Sequence, residues 1–378
     1  MNNHLAFCTI IAKNYLGFAR SLCQSLKDCH PDLLCFVLIV DDIKDKFEPQ
    51  NENFTVISLD KLNIPNIQSF VFKYNITELS TATKPYLLEY LIKEYNLQKL
   101  IYLDPDIQVF QPLDYIFEIL DNHSIVLTPH ITKALPNDGL LIDDRNLLFS
   151  GVYNLGFIAI SDTSTTKLLL EWWKEKLYDL CIIDQANALF VDQRWMDLVP
   201  AIFANVYILR ELGYNMAYWN LHERTLERRD GVWYCNQKLL YFYHFSGLLL
   251  KEMEAISKHQ NRYNLINRPE LRTLFEDYKS LLISNHHPET SNWRYTYGYY
   301  SDSSAIENSE RKYYYYLGSD RHKKFPDPFN VDLPISFKSQ IWRIMPMLRL
   351  KAKVKSLIPK PILSALKAWV RSPRRNYL

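Results

Sequence analysis

Asp104 and Asp106 are the residues whose types and spacing point most directly to chemistry. They end the run Leu100-Ile-Tyr-Leu-Asp-Pro-Asp106, in which Ile101 to Leu103 predicts a short buried strand that stops abruptly at two carboxylates. Residues i and i+2 of an extended chain point the same way, so the two acids converge while Pro105 stiffens the link. Like charges so placed repel unless a cation is shared, and a divalent metal carrying a diphosphate suits such hard oxygen ligands. In open α/β sheets, ligands collect outside the carboxyl ends of the strands, which is where this pair would emerge. The other reading of Asp-Pro-Asp is a solvated turn after a core strand, since a lone Asp-x-Asp is common.

The elements that must position this pair follow from periodicity. Leu5 to Ala12 predicts a first strand, Tyr15, Ala19, Leu22 and Leu26 mark one face of a helix, and Leu33 to Val40 predicts a second strand running into Asp41-Asp42. That is a βαβ opening. Phe54 to Ser58 reads as a further strand, and Thr83-Lys84-Pro85 as a helix start whose apolar face is Leu87, Leu88, Leu91 and Ile92. This helix leads into the strand before Asp104. Ile125 to Thr128 and the second half of Val152 to Ile160 are strand candidates, with Gly156 marking a close approach of a ligand or another backbone. Leu168 to Tyr178 is amphipathic helix, and Asp230-Gly231 is a turn between two strand-like runs.

The chain has 378 residues, 48% of them hydrophobic, which fits a well-packed catalytic domain plus a smaller second unit. It has nine glycines, and neither G-x-G-x-x-G nor G-x-x-x-x-G-K-[ST] occurs, which argues against dinucleotide oxidoreductases and P-loop NTPases. The six cysteines lack C-x-x-C spacing and read as buried thiols in a reducing cytoplasm. No stretch reaches the roughly 18 apolar residues of a spanning helix. A net charge of +2 hides a split: residues 338–378 hold 11 basic residues and no acid, against 33 basic and 42 acidic residues before them.

In order along residues 5–250, these segments resemble a GT-A nucleotide-sugar transferase, most like glycosyltransferase family 8 and its bacterial surface-polysaccharide relatives. The matching pieces are Phe7-Cys-Thr-Ile10, Asn14-Tyr15, Thr83-Lys84, Asp104-Pro-Asp106, Asn154-Leu-Gly156, Asp184-Gln185 and His244-Phe-Ser-Gly247. The resemblance implies an α/β fold, a Rossmann-like mixed sheet with flanking helices, and transfer of a sugar from a UDP-sugar to a glycan or lipid-linked acceptor with retention of configuration. It implies a metal, Mn²⁺ or Mg²⁺, on Asp104, Asp106 and His244, and the imidazole nitrogen favours Mn²⁺. Thr9, Asn14 and Tyr15 would border the base, Lys84 would serve substrate binding, and Asn154 and Gly156 would touch the donor sugar. Asp184 and Gln185 would act near the anomeric carbon. The family continues His-x-x-Gly-x-x-Lys-Pro-Trp; here Leu250 takes the lysine's place, Lys251 follows one residue later, and Pro-Trp is missing. Gly247 and Lys251 would attend the diphosphate.

Several of these residues have plainer readings. His244 could be a core histidine, Asp184 a helix cap, Tyr15 core packing, and Asp143 and Asp144 loop charges. The aromatic run 293–316 reads as a packed accessory layer or as an acceptor surface. The organisation expected is a transferase domain at 1–250, an accessory helical and aromatic region at 251–337, and a basic amphipathic tail at 338–378. That tail places the protein in the cytoplasm, peripheral on an anionic inner membrane surface, with no nucleic-acid partner. Two rivals share features of this reading. A haloacid-dehalogenase-like phosphatase also sets Asp-x-Asp after a strand, but wants Thr or Val where Gln108 stands and the pair on the first strand. A catalytically silent nucleotide-binding membrane scaffold would keep the fold without turnover.

Overall fold

The computed structural model describes residues 4–43 and 46–342. By its contacts the chain forms two compact units, Met1–Gly298 and Tyr299–Leu378, so the boundary expected at 250 falls inside the first. Most of the basic tail expected at 338–378, residues 343–378, lies outside the described residues.

The first unit is an α/β layer structure on a seven-stranded sheet. Its strands are β1 (Leu5–Ile11), β2 (Leu34–Ile39), β3 (Thr55–Ser58), β4 (Lys99–Leu103), β6 (Ile125–Pro129), β7 (Tyr153–Ser161) and β8 (Val206–Ile208). A short β5 (Ile107–Val109) follows β4 and pairs antiparallel with β9 (Phe242–His244) outside the sheet. The order is β8-β6-β7-β4-β1-β2-β3. β7 runs antiparallel to β4 and β6, and every other pair in the sheet is parallel. This is the Rossmann-like mixed sheet that the resemblance implies. The strand order turns back beside β1, since β2 follows on one side and β4 on the other, and a crevice opens at such a point.

The strands read as continuous apolar runs because helices cover both faces. Helix α1 (Leu16–Cys29) buries Leu16, Ala19, Leu22, Cys23 and Leu26 against Phe7, Val37 and Ile101. Helix α2 (Lys84–Glu94) starts with Pro85 in its first turn and buries Leu87, Leu88 and Leu91, as its spacing predicts. Helix α3 (Ser164–Leu180), capped by the Thr163 hydroxyl, packs on α2 and buries Trp173. Helix α4 (Arg272–Ser284) lies beyond residue 250 yet packs on α1, placing Phe275 and Tyr278 with Phe18, Tyr243 and Phe245. That shared apolar cluster is why residues 251–298 fold with the sheet.

In the second unit, helix α5 (Asn308–Leu317) opens with a Glu307–Glu310 capping box. Its Tyr314 is fully buried, stacked 4.1 Å from His322 and edge-on to Phe337. Tyr316 is exposed. The tyrosine run is therefore part packing layer, part surface.

Candidate active site

The acid pair sits in the tight turn between β4 and β5, with Ile107 N–H donating to the Asp104 carbonyl at 3.2 Å. The extended geometry expected from sequence is replaced by this turn, after which β5 pairs with β9. Both backbones are tied in. Asp104 N–H donates to the Gly156 carbonyl on β7, and Phe245 N–H to the Asp106 carbonyl, each at 2.8 Å. Turn and active pair are thus the same feature.

β9 brings His244 to the acids. Its Nε2 lies 3.0 Å from Asp106 Oδ1 and 3.8 Å from Asp104 Oδ2, with the ring buried and the carboxylates half-buried. One ligand atom from each of the three falls within 4.8 Å of the others. Burial works against a charged His244 imidazole, but the Asp106 and Asp104 carboxylates outweigh it and raise its pKa. Gly156 makes the arrangement possible: a Cβ there would stand 2.3 Å from His244 Cε1 and 2.7 Å from Nδ1. The close approach expected at Gly156 is that of a side chain, not of a backbone. Two carboxylates open to solvent and one fixed imidazole nitrogen make a donor set suited to a hard or borderline divalent cation.

A second layer holds this cluster from behind. Tyr102 donates its hydroxyl to Asp104 Oδ1 at 2.7 Å, and Lys84 Nζ lies 4.2 Å above the Tyr102 ring. Lys84 is itself buried, bonded to Asp192 at 2.6 Å and to the Leu155 carbonyl at 2.7 Å. Burial pushes the Asp192 carboxyl up, with Lys84 opposing. On the other side, a bulge in β6 at Thr128 turns its hydroxyl to Asn215 (2.8 Å), whose amide also donates to Asn154 Oδ1 at 3.0 Å. Asn154 Oδ1 in turn accepts from Gly156 N–H at 3.2 Å. Gln193 accepts from Leu155 N–H at 3.1 Å and donates to the Ser150 carbonyl at 2.8 Å. Asn220 ties the His130 carbonyl to the Asn215 carbonyl, and Trp219 stands edge-on to both His130 and His244. Tyr102, Lys84, Asn215, Gln193 and Asn220 are each hydrogen-bonded in this layer, and locked supports fix the orientation of the groups they hold.

The remaining expected residues divide. Thr9 is fully buried within β1, its hydroxyl without a partner among the described residues, as is Asn14 Oδ1. Tyr15 is exposed and stacked on Phe18, and its phenol pKa is raised by partial burial and by the Asp106 charge. Asp184 lies apart in character: its carboxylate accepts from Ala186 N–H (3.1 Å) and the Asn187 amide (2.7 Å), and Gln185 is exposed. Asp184 thus caps the short turn that follows it. Lys251 is exposed on a turn. Lys84 is sealed away behind Tyr102. Sequence reasoning did not single out Asp192, Gln193, Asn215 or Asn220 as site residues. A signal existed in Asp192-Gln193, which repeats the Asp-Gln pair eight residues on.

No family model matches the chain. Among curated proteins it is similar to two uncharacterized proteins of Bacillus subtilis (strain 168). YfnF is 27% identical over 67% of this chain and 84% of its own length, and YfnD 24% identical over 65% and 78%. Solved structures similar to it include the galactosyltransferase LgtC in complex with donor and acceptor sugar analogues, at a TM-score of 0.42 and 14% identity over 74% of this chain and 95% of that one. The glycosyltransferase GlyE of Streptococcus pneumoniae TIGR4 gives a TM-score of 0.43 and 16% identity over 78% of this chain and 67% of that one.

Proposed function

We propose that this chain is a metal-dependent glycosyltransferase that moves a sugar from a UDP-sugar to a glycan or lipid-linked acceptor. The observation that carries the proposal is the Asp104–Asp106–His244 cluster, three ligand atoms within 4.8 Å of one another at the carboxyl end of β4. Asp104, Asp106 and His244 would hold the cation, Mn²⁺ for preference. When bound, such a cation neutralises the charge that builds on a leaving diphosphate. The protein's own part is to fix the acids in their turn, to hold the imidazole against Gly156, and to keep Asn154 oriented toward the same space. Both rivals fit less well. The acids follow the fourth strand of the chain, not the first, and Asp104, Asp106 and His244 together form an intact ligand cluster.

The test is a thermal-shift panel of UDP-, GDP-, ADP- and CDP-sugars with and without Mn²⁺, because a ligand that binds only the native state raises its stability. UDP-sugars should raise the melting temperature only with the metal present. No shift with any nucleotide sugar in Mn²⁺ would sink the proposal. Once turnover is established, NMR of the first product reports the anomeric configuration, which we expect to be retained; inversion would overturn that part. Among the described residues no helix is long and apolar enough to cross a membrane. We propose a peripheral role on anionic membrane for residues 338–378, from their 11 basic residues and interleaved apolar ones. Equal flotation with anionic vesicles of the full chain and a truncation at Phe337 would remove it.

A further inference from the structure

Gly156 and Gly247 do the same thing for two different histidines. Gly156 leaves room for the ring of His244; Gly247, at φ +70°, leaves room for His259, whose Cδ2 would stand 2.4 Å from a Cβ and whose Nε2 would stand 2.9 Å away. The fit is local and built. Lys258 N–H donates to the Gly247 carbonyl at 3.0 Å, and the buried Ser257 hydroxyl accepts from His259 N–H at 3.2 Å. The strap continues into Asn261, which exchanges hydrogen bonds with Leu141, and Arg262, which grips Asp138 at 2.7 Å and the Ile142 carbonyl at 2.9 Å. Residues 257–263 are therefore pinned at both ends, to Gly247 and to the loop at 138–142.

The His259 side chain remains exposed, tilted over Tyr218 at 6.0 Å. Burial of part of the ring and the charge on Lys258 lower its pKa, while the Asp106 carboxylate opposes both. The same carboxylate acts on His244. Yet His259 is outside the group of three whose ligand atoms lie within 4.8 Å of one another. A second imidazole against Gly247 and in electrostatic reach of Asp106, but outside the ligand cluster, suits a group bound to the cation more than the cation itself. Lys251 is likewise exposed, on a turn.

We propose that His259, held by the 257–263 strap against Gly247, donates a hydrogen bond to the diphosphate of the nucleotide donor, in the place that the sequence pattern assigns to Lys251. This rests on the donor being a nucleoside diphosphate sugar, the reading given above. A ring N–H facing a phosphate oxygen makes a charge-assisted hydrogen bond. Losing it should weaken binding by about tenfold.

The experiment is titration calorimetry of the full-length protein, wild type, His259→Ala, His259→Gln and Lys251→Ala, with UDP in Mn²⁺ and with uridine as a competitor lacking phosphates. His259→Ala should lose about tenfold for UDP and nothing for uridine, His259→Gln, which keeps an N–H donor, should recover part of the loss, and Lys251→Ala should bind as wild type. Unchanged UDP affinity in His259→Ala overturns the inference, as does an equal loss for uridine, which would mark a structural role, or a loss confined to Lys251→Ala. If wild type itself fails to bind UDP with Mn²⁺, the UDP-sugar reading falls and takes the His259 role with it. A failure seen only in the comparison of variants leaves that reading standing.

Discussion

Asp184-Gln185 and Asp192-Gln193 are the same dipeptide eight residues apart, and the fold treats them oppositely. The first lies at the end of a two-residue strand whose partner is Leu189–Phe190, and its carboxylate caps a short turn. The second opens the 3₁₀ segment Gln193–Leu198 that packs on β7, and both its side chains are buried. Asp192 neutralises Lys84 behind Tyr102, and Gln193 braces the backbone beside Asn154. A dipeptide has no intrinsic role. Burial makes the difference, since a carboxylate at the surface is free to serve its own turn, whereas one inside must be paired.

The largest effect expected lies in front of that buried pair. Asp104→Ala or Asp106→Ala should abolish transfer while leaving the protein folded, because both carboxylates are half-exposed in a turn whose backbone bonds remain. A glycosyltransferase assay with circular dichroism on the same samples decides it. Full activity in either variant with the metal chelated would end the metal-dependent reading.

Next in size is the contrast itself. Asp192→Asn leaves the Lys84 ammonium buried beside a neutral partner, and breaking a buried pair in this way costs about 3–5 kcal/mol. Asp184→Asn removes a charge from an exposed turn and should stay within about 0.5 kcal/mol of wild type. Urea unfolding of both variants measures the difference. Similar midpoints would mean that the buried pair does not support the site as described.

Much of this was legible in the sequence and some was not, for reasons that particular residues show. Ile101 to Leu103 ending in Asp104 is a local pattern, and a buried strand with acids at its exit is what the chain forms. The same holds for the start of α2 at Lys84-Pro85. His244 is different: its approach depends on Gly156, 88 residues earlier, and on β9 pairing with β5. Periodicity carries no trace of a contact over that separation; only the ordered motifs of the resemblance suggested it. The role of Asn215 depends on a bulge at Thr128 and on its own left-handed backbone at φ 53°, neither of which a propensity argument reaches. The boundary at 250 came from where motifs stop, whereas the boundary of the compact unit follows the apolar face of α4.

The smallest effect expected tests whether His130, in the layer behind the acids, is held neutral. His130 is buried between Trp219 and Asn154, and burial pulls its pKa from the ordinary histidine value down to about 4, with the neighbouring His244 charge adding to the effect. A base whose folded pKa is depressed binds fewer protons in the native state than in the unfolded one. Its contribution to stability is therefore complete above about pH 6.5, where both states are neutral, and is lost as pH falls from there through 4. The difference corresponds to about 3 kcal/mol across that window. His244 shifts the other way, so its contribution runs in the opposite sense: it is present below the ordinary histidine pKa and lost as pH rises through the raised value. Denaturant unfolding from pH 9 to 4 on wild type and His130→Asn separates the two. The variant should lose the acid-side decline attributable to His130 and keep any decline on the alkaline side. If wild type and variant fall in parallel between pH 6.5 and 4, His130 is not held neutral, and the supporting layer carries charge where a neutral imidazole is inferred.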